Sequence, residues 1–298
     1  MSIQEFTKTN CPVCNSSKCN IVLSGQIRDG AFPNKKFGTI IECSECRVQF
    51  LLENQKNQIN YETNEYRESL NQEANINSYR KSHDHLQQDL IALIGSENIR
   101  DKSVLDIGCG GGSFLDNIKG IAKKIACIEP CIDFQKSLRD RGYDVYPDLN
   151  SSINVSYDLI TSFHVIEHIN DPLSFLKDIE KKMHSSSRLI ITTPNLDDIL
   201  NRSLKEYREF FYRSAHSFYF NENSLRNIGE KAGLVCKKVI FKHRYSASNF
   251  FYWLKEKKPH GQKKFFGVNN ILNKFWATYL EEYGLSEMIA IEFKKKIF

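Results

Sequence analysis

Three groups of residues in this 298-residue chain have the types and spacings that chemistry needs. His164, Glu167 and His168, in "FHVIEHINDP", spell H-x-x-E-H, a pattern in which two imidazoles and a carboxylate can hold zinc and activate water for hydrolysis. Cys11-Pro-Val-Cys14 and Cys43-Ser-Glu-Cys46 form C-x2-C-x28-C-x2-C, and four thiolates satisfy tetrahedral Zn²⁺. In "VLDIGCGGGSFL", Gly108, Gly110 and Gly112 follow a short apolar run and open a helix-like stretch. Glycines at such a turn let the backbone approach a ligand closely, with a helix N-terminus just beyond.

The elements around "HVIEH" argue against hydrolysis. The run before it, "YDLITSF", reads as a strand, and Asn170-Asp171-Pro172 caps a new helix with Pro172 in its first turn. About one helical turn fits between them, too little for a zinc-hydrolase helix. The motif instead falls at the carboxyl end of a strand, which in an open α/β sheet is where ligands bind.

Strand and helix patterns alternate along the chain from about residue 100. Strands are expected at 103–108, 123–130, "YDVY", 157–164, "SRLIITTPN", "LVCKKVIFKH" and 286–296, with helices between, one of them running from Asp171 to about His184. This order implies a parallel sheet covered on both faces. Residues 1–50 read as a small β module carrying the cysteine pairs. Residues 51–99 read as a polar connector followed by a helix over 78–95, with Tyr79, Leu86, Leu90, Leu93 and Ile94 at helical spacing and Gly95 at its end. An aromatic, basic insert occupies roughly 244–285.

Two carboxylates give the glycine turn its context. Asp106 precedes it in the first strand of the alternating region, and Glu129 ends the second strand about twenty residues on, where a carboxylate can accept both hydroxyls of a ribose. With these residues "VLDIGCGGG" resembles the first motif of the class I S-adenosylmethionine-dependent methyltransferases. "YDLITSFHVIEHINDPLSFLKDIEKKMHSSSRLIITTPN" and "HSFYFNENSLRNIGEKAGL" extend the similarity over roughly residues 100–242 and the last strand. The resemblance implies an α/β fold with a seven-stranded Rossmann-like sheet, whose last strand runs antiparallel between the sixth and the fifth. It places Gly108, Gly110 and Gly112 under the methionine and ribose, Asp106 near the methionine ammonium, Glu129 on the ribose and Phe163 beside the cofactor. Asp148 stands where an acidic residue meets the adenine amine, and a surface-loop aspartate is the alternative. The cysteine module resembles the zinc-binding heads of sugar methyltransferases, including C-methyltransferases of deoxysugar pathways. A closed Cys₄ set leaves no open position, so that zinc would be structural.

For the chemistry, histidine suits removal of a hydroxyl proton because its ordinary pKa lies near 6.5. His164, Glu167, His168 and His216, the last in "SAHSFYF", are the candidate catalytic residues. Glu167 and His168 could equally form an ion pair that holds the loop, and His216 could be a substrate contact or a packed core histidine. Quinone-pathway O-methyltransferases carry an acidic residue where this chain has His164, so the divalent metal associated with that stretch does not transfer directly. The insert, with Arg244, Lys257, Lys258 and His260, reads either as a substrate lid that meets phosphates or as a packing or homodimerisation element.

The expected acceptor is a small molecule, a sugar hydroxyl in a nucleotide sugar or surface glycan. C-methylation of a keto-sugar and methylation of ribosomal or transfer RNA are the alternatives. A net charge of +5 is modest for a nucleic-acid binder, and the text after the fourth strand is not of the N/D-P-P-Y type used on base amines. No apolar run approaches the about 20 residues needed to span a bilayer, and the N-terminus has no basic-then-apolar leader, so a cytoplasmic location is expected. Nine cysteines in such a chain argue for thiols or metal rather than disulfides.

Overall fold

The computed structural model describes residues 9–52, 59–69, 76–84, 87–151, 155–260 and 263–297. Residues 53–58 and 70–75 of the polar connector, and Leu86 of the 78–95 pattern, lie outside the described residues.

The chain opens with three antiparallel strands, β1 (Cys19–Arg28), β2 (Lys35–Cys43) and β3 (Gln49–Leu51). The β1–β2 ladder starts at Cys19↔Cys43 and ends at Arg28↔Lys35, so one end of the hairpin lies at the cysteines and the other reaches away from them. Three short helices follow: α1 (Glu65–Ser69), α2 (Ile76–His83) and α3 (Gln87–Ile94). Among the described residues, the helix expected over 78–95 is seen as α2 and α3, with residues 85–86 between them outside the described residues. The C-terminal one stops at Gly95, whose φ of +84° lies in the left-handed region that ends helices.

The alternating region supplies β4 (Ser103–Ile107), α4 (Ser113–Ile118), β5 (Lys124–Ile128), α5 (Ile132–Asp140), β6 (Asp144–Tyr146) and β7 (Tyr157–Phe163). After a single 3₁₀ turn at Ile166–His168 come α6 (Pro172–Lys181) and β8 (Met183–Pro194). Asp171 caps α6 by accepting from the Ser174 amide at 2.9 Å, with Pro172 in the first turn. The helix ends at Lys181, so His184 belongs to β8 rather than to the helix. The chain continues through α7 (Ile199–Ser203), α8 (Lys205–Phe211), β9 (Phe218–Tyr219), α9 (Glu222–Lys231), β10 (Leu234–Lys242), α10 (Ala247–Glu256), α11 (Asn270–Glu282) and β11 (Met288–Lys295).

Seven strands form one sheet in the order β10-β11-β8-β7-β4-β5-β6. β8, β7, β4, β5 and β6 are parallel, and β11 lies antiparallel between β10 and β8, as the methyltransferase resemblance implied. Val104, Leu105, Ile160, Leu189 and Ile191 are fully buried, as expected for strands covered on both faces. The strand order reverses between β4 and β7, so the loops leaving their carboxyl ends diverge and open a crevice.

β9 is too short to carry a periodic signal, yet it ties the N-terminal strands to the rest of the chain. It pairs with β3 (Gln49↔Tyr219, Phe50↔Phe218) to complete a four-stranded sheet β1-β2-β3-β9. Beneath it, Ile27, Ile40 and Leu51 share an apolar cluster with Tyr207, Phe211, Tyr219 and Trp253. Trp253 fastens the insert to this cluster, with ring centres 4.9 Å from Tyr207 and 5.1 Å from Phe210. Truncating a buried tryptophan to alanine costs about 3–5 kcal/mol, enough to make α10 a fixed cap. Ile271, Phe275 and Tyr279 on α11, with Tyr283 just beyond it, form an exposed stripe at four-residue spacing.

Candidate cofactor and acceptor site

One cavity of about 910 Å³ opens at the carboxyl ends of β4, β5 and β7 and extends beneath α8 and the start of the insert. Its first half is built by the glycine turn. Gly108, Gly110 and Gly112 have φ of +74°, +56° and +78°. A Cβ on Gly108 would stand 2.4 Å from Val165 Cγ2, and one on Gly110 would stand 2.6 Å from Tyr79 Oη, so side chains are excluded by conformation and by space. Glu129 ties the turn to β5: the Gly110 amide donates to its Oε2 at 2.7 Å and the Cys131 amide to its Oε1 at 2.9 Å. Burial pushes the Glu129 carboxyl up, against the opposing pull of Arg67 at 3.8 Å and of these amides. Asp106 is also buried and accepts from Thr161 Oγ1 at 2.7 Å. Desolvation pushes its pKa up to about 7, with the Thr161 hydrogen bond pulling down and the Glu129 charge adding to the rise.

The H-x-x-E-H residues stand at the middle of the same cavity. His164 ends β7 in the left-handed region, φ +56°, with its amide donating to the Thr192 carbonyl at 2.9 Å. A non-glycine residue held there is strained by roughly 1–2 kcal/mol, which the β8 hydrogen bond helps offset. His164 Nδ1 lies 3.4 Å from Glu167 Oε1, and Thr193 Oγ1 donates to Glu167 Oε2 at 3.0 Å. Burial pushes the Glu167 carboxyl up, but the hydrogen bond and charge of His164 outweigh it and hold the group below its ordinary value. His168 Nδ1 lies 2.9 Å from the Ala215 carbonyl and 3.2 Å from Tyr61 Oη. A carbonyl oxygen only accepts, so in the neutral ring Nδ1 carries the proton and Nε2 is the unprotonated nitrogen.

The far half is contributed by the segment after α8. His216 is buried and packs perpendicular to His168, ring centres 4.7 Å apart. Burial holds both imidazoles below the ordinary histidine pKa; the Arg213 charge adds to the depression, while Glu167 opposes it at His168. Tyr207, Phe210, Phe211 and Tyr245 supply aromatic wall. The N-terminal sheet fixes this segment directly: the Leu51 amide donates to Ser217 O at 3.1 Å, and the Ser217 amide donates to Glu167 O at 2.8 Å.

A family model described as a methyltransferase domain matches residues 77–239, more than half of the chain. The chain belongs to this methyltransferase family. It is an S-adenosylmethionine-dependent methyltransferase, and its curated relatives agree. The ubiquinone biosynthesis O-methyltransferase of Aeromonas salmonicida is 26% identical over 172 residues, 50% of this chain and 70% of the relative. That of Actinobacillus pleuropneumoniae serotype 7 is 26% identical over 197 residues, 57% of this chain and 79% of the relative. Among solved structures, mitomycin 7-O-methyltransferase superposes with a TM-score of 0.52 at 14% identity, covering 80% of this chain and 60% of that one, which shows the shared fold.

The methyltransferase's first half-cavity suits its cofactor. Gly108 and Gly110 line the cavity with bare backbone, while Gly112 packs under Leu138 and Arg141 away from it, and Ser113 Oγ, at the first turn of α4, is buried without a hydrogen-bond partner where it lines the cavity. A bound carboxylate would satisfy that hydroxyl, and Asp106 offers a counter-charge to an ammonium. Phe163 lines the cavity and packs edge-on against Phe114 at 5.1 Å. Asp148 lines it from an exposed turn, with Oδ1 engaged by the Ser151 amide at 2.8 Å. Lys257, Lys258 and His260 do not line the cavity, and His260 instead stacks on Tyr252 and pairs with Glu256 at 3.3 Å. Among the described residues of the insert, Arg244 and Tyr245 are the ones that line the site.

Several lining residues carry no sequence signal. Arg67 on α1 lies over the Phe134 ring at 3.8 Å, and Tyr79 on α2 closes on Gly110 and Gly111 while stacking on His83 at 4.0 Å. Arg67 comes from the polar connector and Tyr79 from the helical pattern that follows it, and in neither does composition mark a ligand contact. Ser113 was legible, because it directly follows the last glycine of the turn.

The four cysteines converge away from the cavity. Cys11, Cys14, Cys43 and Cys46 offer sulfurs that all lie within 4.8 Å of one another, with Cys11–Cys46 at 3.6 Å and Cys14–Cys43 at 3.4 Å. The two knuckles share one geometry. Asn15 and Arg47, each just after the second cysteine of its pair, have φ of +60° and +62° and return their amides to the Cys11 and Cys43 carbonyls. A tetrahedral zinc with Zn–S of about 2.3 Å would set its sulfurs about 3.8 Å apart, so the donor set and its spacing fit that ion. Cys19 stands outside the set, with its thiol on the Ser16 carbonyl.

Proposed function

We propose that the protein methylates a hydroxyl of a small-molecule acceptor, with His168 as general base. What supports this is the 2.9 Å contact of His168 Nδ1 with the Ala215 carbonyl, which favours the Nδ1–H tautomer and leaves Nε2 basic in a ring whose pKa burial lowers. When bound, S-adenosylmethionine supplies a methyl group already activated on a sulfonium, so the protein has only to orient the acceptor and take its proton. The acceptor oxygen gives its proton to His168 Nε2 as it gains the methyl and becomes an ether. The buried Glu167 carboxylate stabilises the imidazolium so formed, and Thr193 and His164 keep that carboxylate ionised and in place. His216, packed edge-on against His168, contacts the acceptor beside it. Gly108, Gly110, Gly112, Asp106, Glu129, Asp148 and Phe163 hold the cofactor. Cys11, Cys14, Cys43 and Cys46 hold a structural zinc that fixes the β-hairpin on which the acceptor segment rests.

The acceptor we favour is a sugar, nucleotide-linked or part of a surface glycan. The aromatic wall of Tyr207, Phe210, Phe211 and Tyr245 supports it, since flat rings stack on sugar faces, as does the resemblance of the cysteine head to those of sugar methyltransferases. The names of the ubiquinone-pathway relatives favour a second reading, a phenolic hydroxyl, which the same wall would accept. Purified protein incubated with radiolabelled cofactor, a panel of nucleotide sugars and a panel of catechols tests both. Alkali-stable ether product on either panel supports the proposal. Methyl groups found only on carbon or only on RNA would overturn it.

A further inference from the structure

Around His168 and His216, the charged side chains lining the cavity are Glu167, Arg213, Arg244 and Glu287. Glu167 is engaged by His164 and Thr193. Glu287 is paired with His243 at 2.9 Å and with Arg244 at 3.0 Å, so Arg244 is committed as well. Arg213 differs. No carboxylate among the described residues lies within ion-pair distance of its guanidinium, and its Nε is buried without a hydrogen-bond partner. Arg213 is half-buried, and a guanidinium keeps its proton whatever its burial, so its charge stays at the cavity for an anion to meet through the terminal nitrogens.

The backbone beneath it is firmly placed. The Arg213 amide donates to Tyr219 Oη at 2.8 Å, the same hydroxyl donates back to the Arg213 carbonyl at 2.9 Å, and a parallel bridge joins Arg213 to Arg28 at the end of β1. The Arg28 guanidinium lies 4.2 Å from the centre of the Phe210 ring, behind the cavity wall rather than in it. A planar fork on a rigid base, facing a cavity and lacking a protein counter-ion, matches a carboxylate or phosphate bidentately.

We propose that Arg213 anchors an anionic oxygen group, carboxylate or phosphate, carried by the methyl acceptor beside the hydroxyl that His168 deprotonates. The inference rests on the acceptor reading above and narrows it to acidic acceptors, such as uronates or phosphate-linked sugars. It also gives the site a means of discrimination. The Arg213 charge makes His168 a weaker base, and an anion seated on that charge removes the penalty. An acidic acceptor would thus make His168 a somewhat stronger base, although burial, the larger cause of its lowered pKa, would remain.

The test is binding rather than turnover. Full-length protein saturated with S-adenosylhomocysteine is titrated with sodium pyrophosphate, with glucuronate and with glucose by calorimetry, while the His168 and His216 imidazole resonances are followed against pH. Binding of either anion without glucose, with both resonances titrating at higher pH when the anion is present, is the expected result. Pyrophosphate alone would identify a phosphoryl source and glucuronate alone a carboxylate source. Arg213→Gln should weaken the binding about tenfold or more and abolish the resonance shift, with homocysteine-cofactor affinity retained as the check on folding. Arg213→Lys, which keeps the charge and loses the fork, should bind more weakly than wild type yet keep the shift. Absence of anion binding to wild type, or equal binding by either variant, would overturn the proposal. Because no methyl transfer is measured, either result leaves the role of His168 to be judged by turnover.

Discussion

His168 Nδ1 sits 2.9 Å from the carbonyl of Ala215, a residue 47 positions later and one before His216. The contact joins the turn after β7 to the segment after α8, and that segment is held in turn by the N-terminal sheet through Ser217. A single hydrogen bond thereby orients the proposed base, fixes its tautomer and ties it to the wall that would receive the acceptor.

The glycine turn should fail by two mechanisms at once. In Gly108→Ala the new Cβ meets Val165 at 2.4 Å from a φ of +74°, so the turn must shift. The expected outcome is loss of S-adenosylmethionine binding by at least about tenfold in calorimetry. Unfolding should be affected by only about 1–2 kcal/mol, because the turn is at the sheet edge rather than in the core.

Cofactor affinity should depend on pH through Asp106. Burial puts this carboxyl at about 7, and a bound ammonium favours its ionised form. Affinity should therefore be highest above pH 7 and fall as pH drops below it, by at most about tenfold per unit for one coupled proton. Calorimetry between pH 5.5 and 8.5 would show this slope, and Asp106→Asn should weaken binding and flatten it.

Metal content should track the four sulfurs. Elemental analysis is expected to find one zinc per chain, removable by a strong chelator and absent from Cys43→Ser. Metal-free protein should melt lower, and methyl transfer should suffer more than cofactor binding, because β3 and β9 link the cysteine hairpin to the acceptor segment and not to the glycine turn.

The sheet was legible in the sequence because most of its strands carry an apolar run, as in SVLDI and YDLITSF, and because a cap such as Asp171-Pro172 before α6 marks where a helix starts. The glycines, Asp106 and Glu129 were legible because their spacing is set by one strand-turn-helix unit and the neighbouring strand end. The insert was harder to read. Its lysines and histidine look like phosphate ligands as text, but helix α10 turns Trp253 inward and leaves Lys257, Lys258 and His260 off the cavity. Arg213 and Arg67 reach the site through tertiary packing of segments without periodicity, and Tyr79, although at helical spacing, reaches it only through the packing of α2 on the glycine turn. β9 was missed for a related reason: a two-residue strand exists only because β3 is there to pair with it.

The central claim is that His168 removes the acceptor's proton. It is tested most directly by single-turnover methyl transfer in wild type and His168→Asn across pH 5 to 9, with an acceptor from the productive panel. In the wild type the rate should be constant at neutral pH and fall only below the ordinary histidine range, because burial holds this imidazole low. His168→Asn should lose about 10²–10⁴-fold in rate and the acid limb of the profile, with cofactor affinity intact. An asparagine variant that retained the wild-type rate and pH profile would contradict the account.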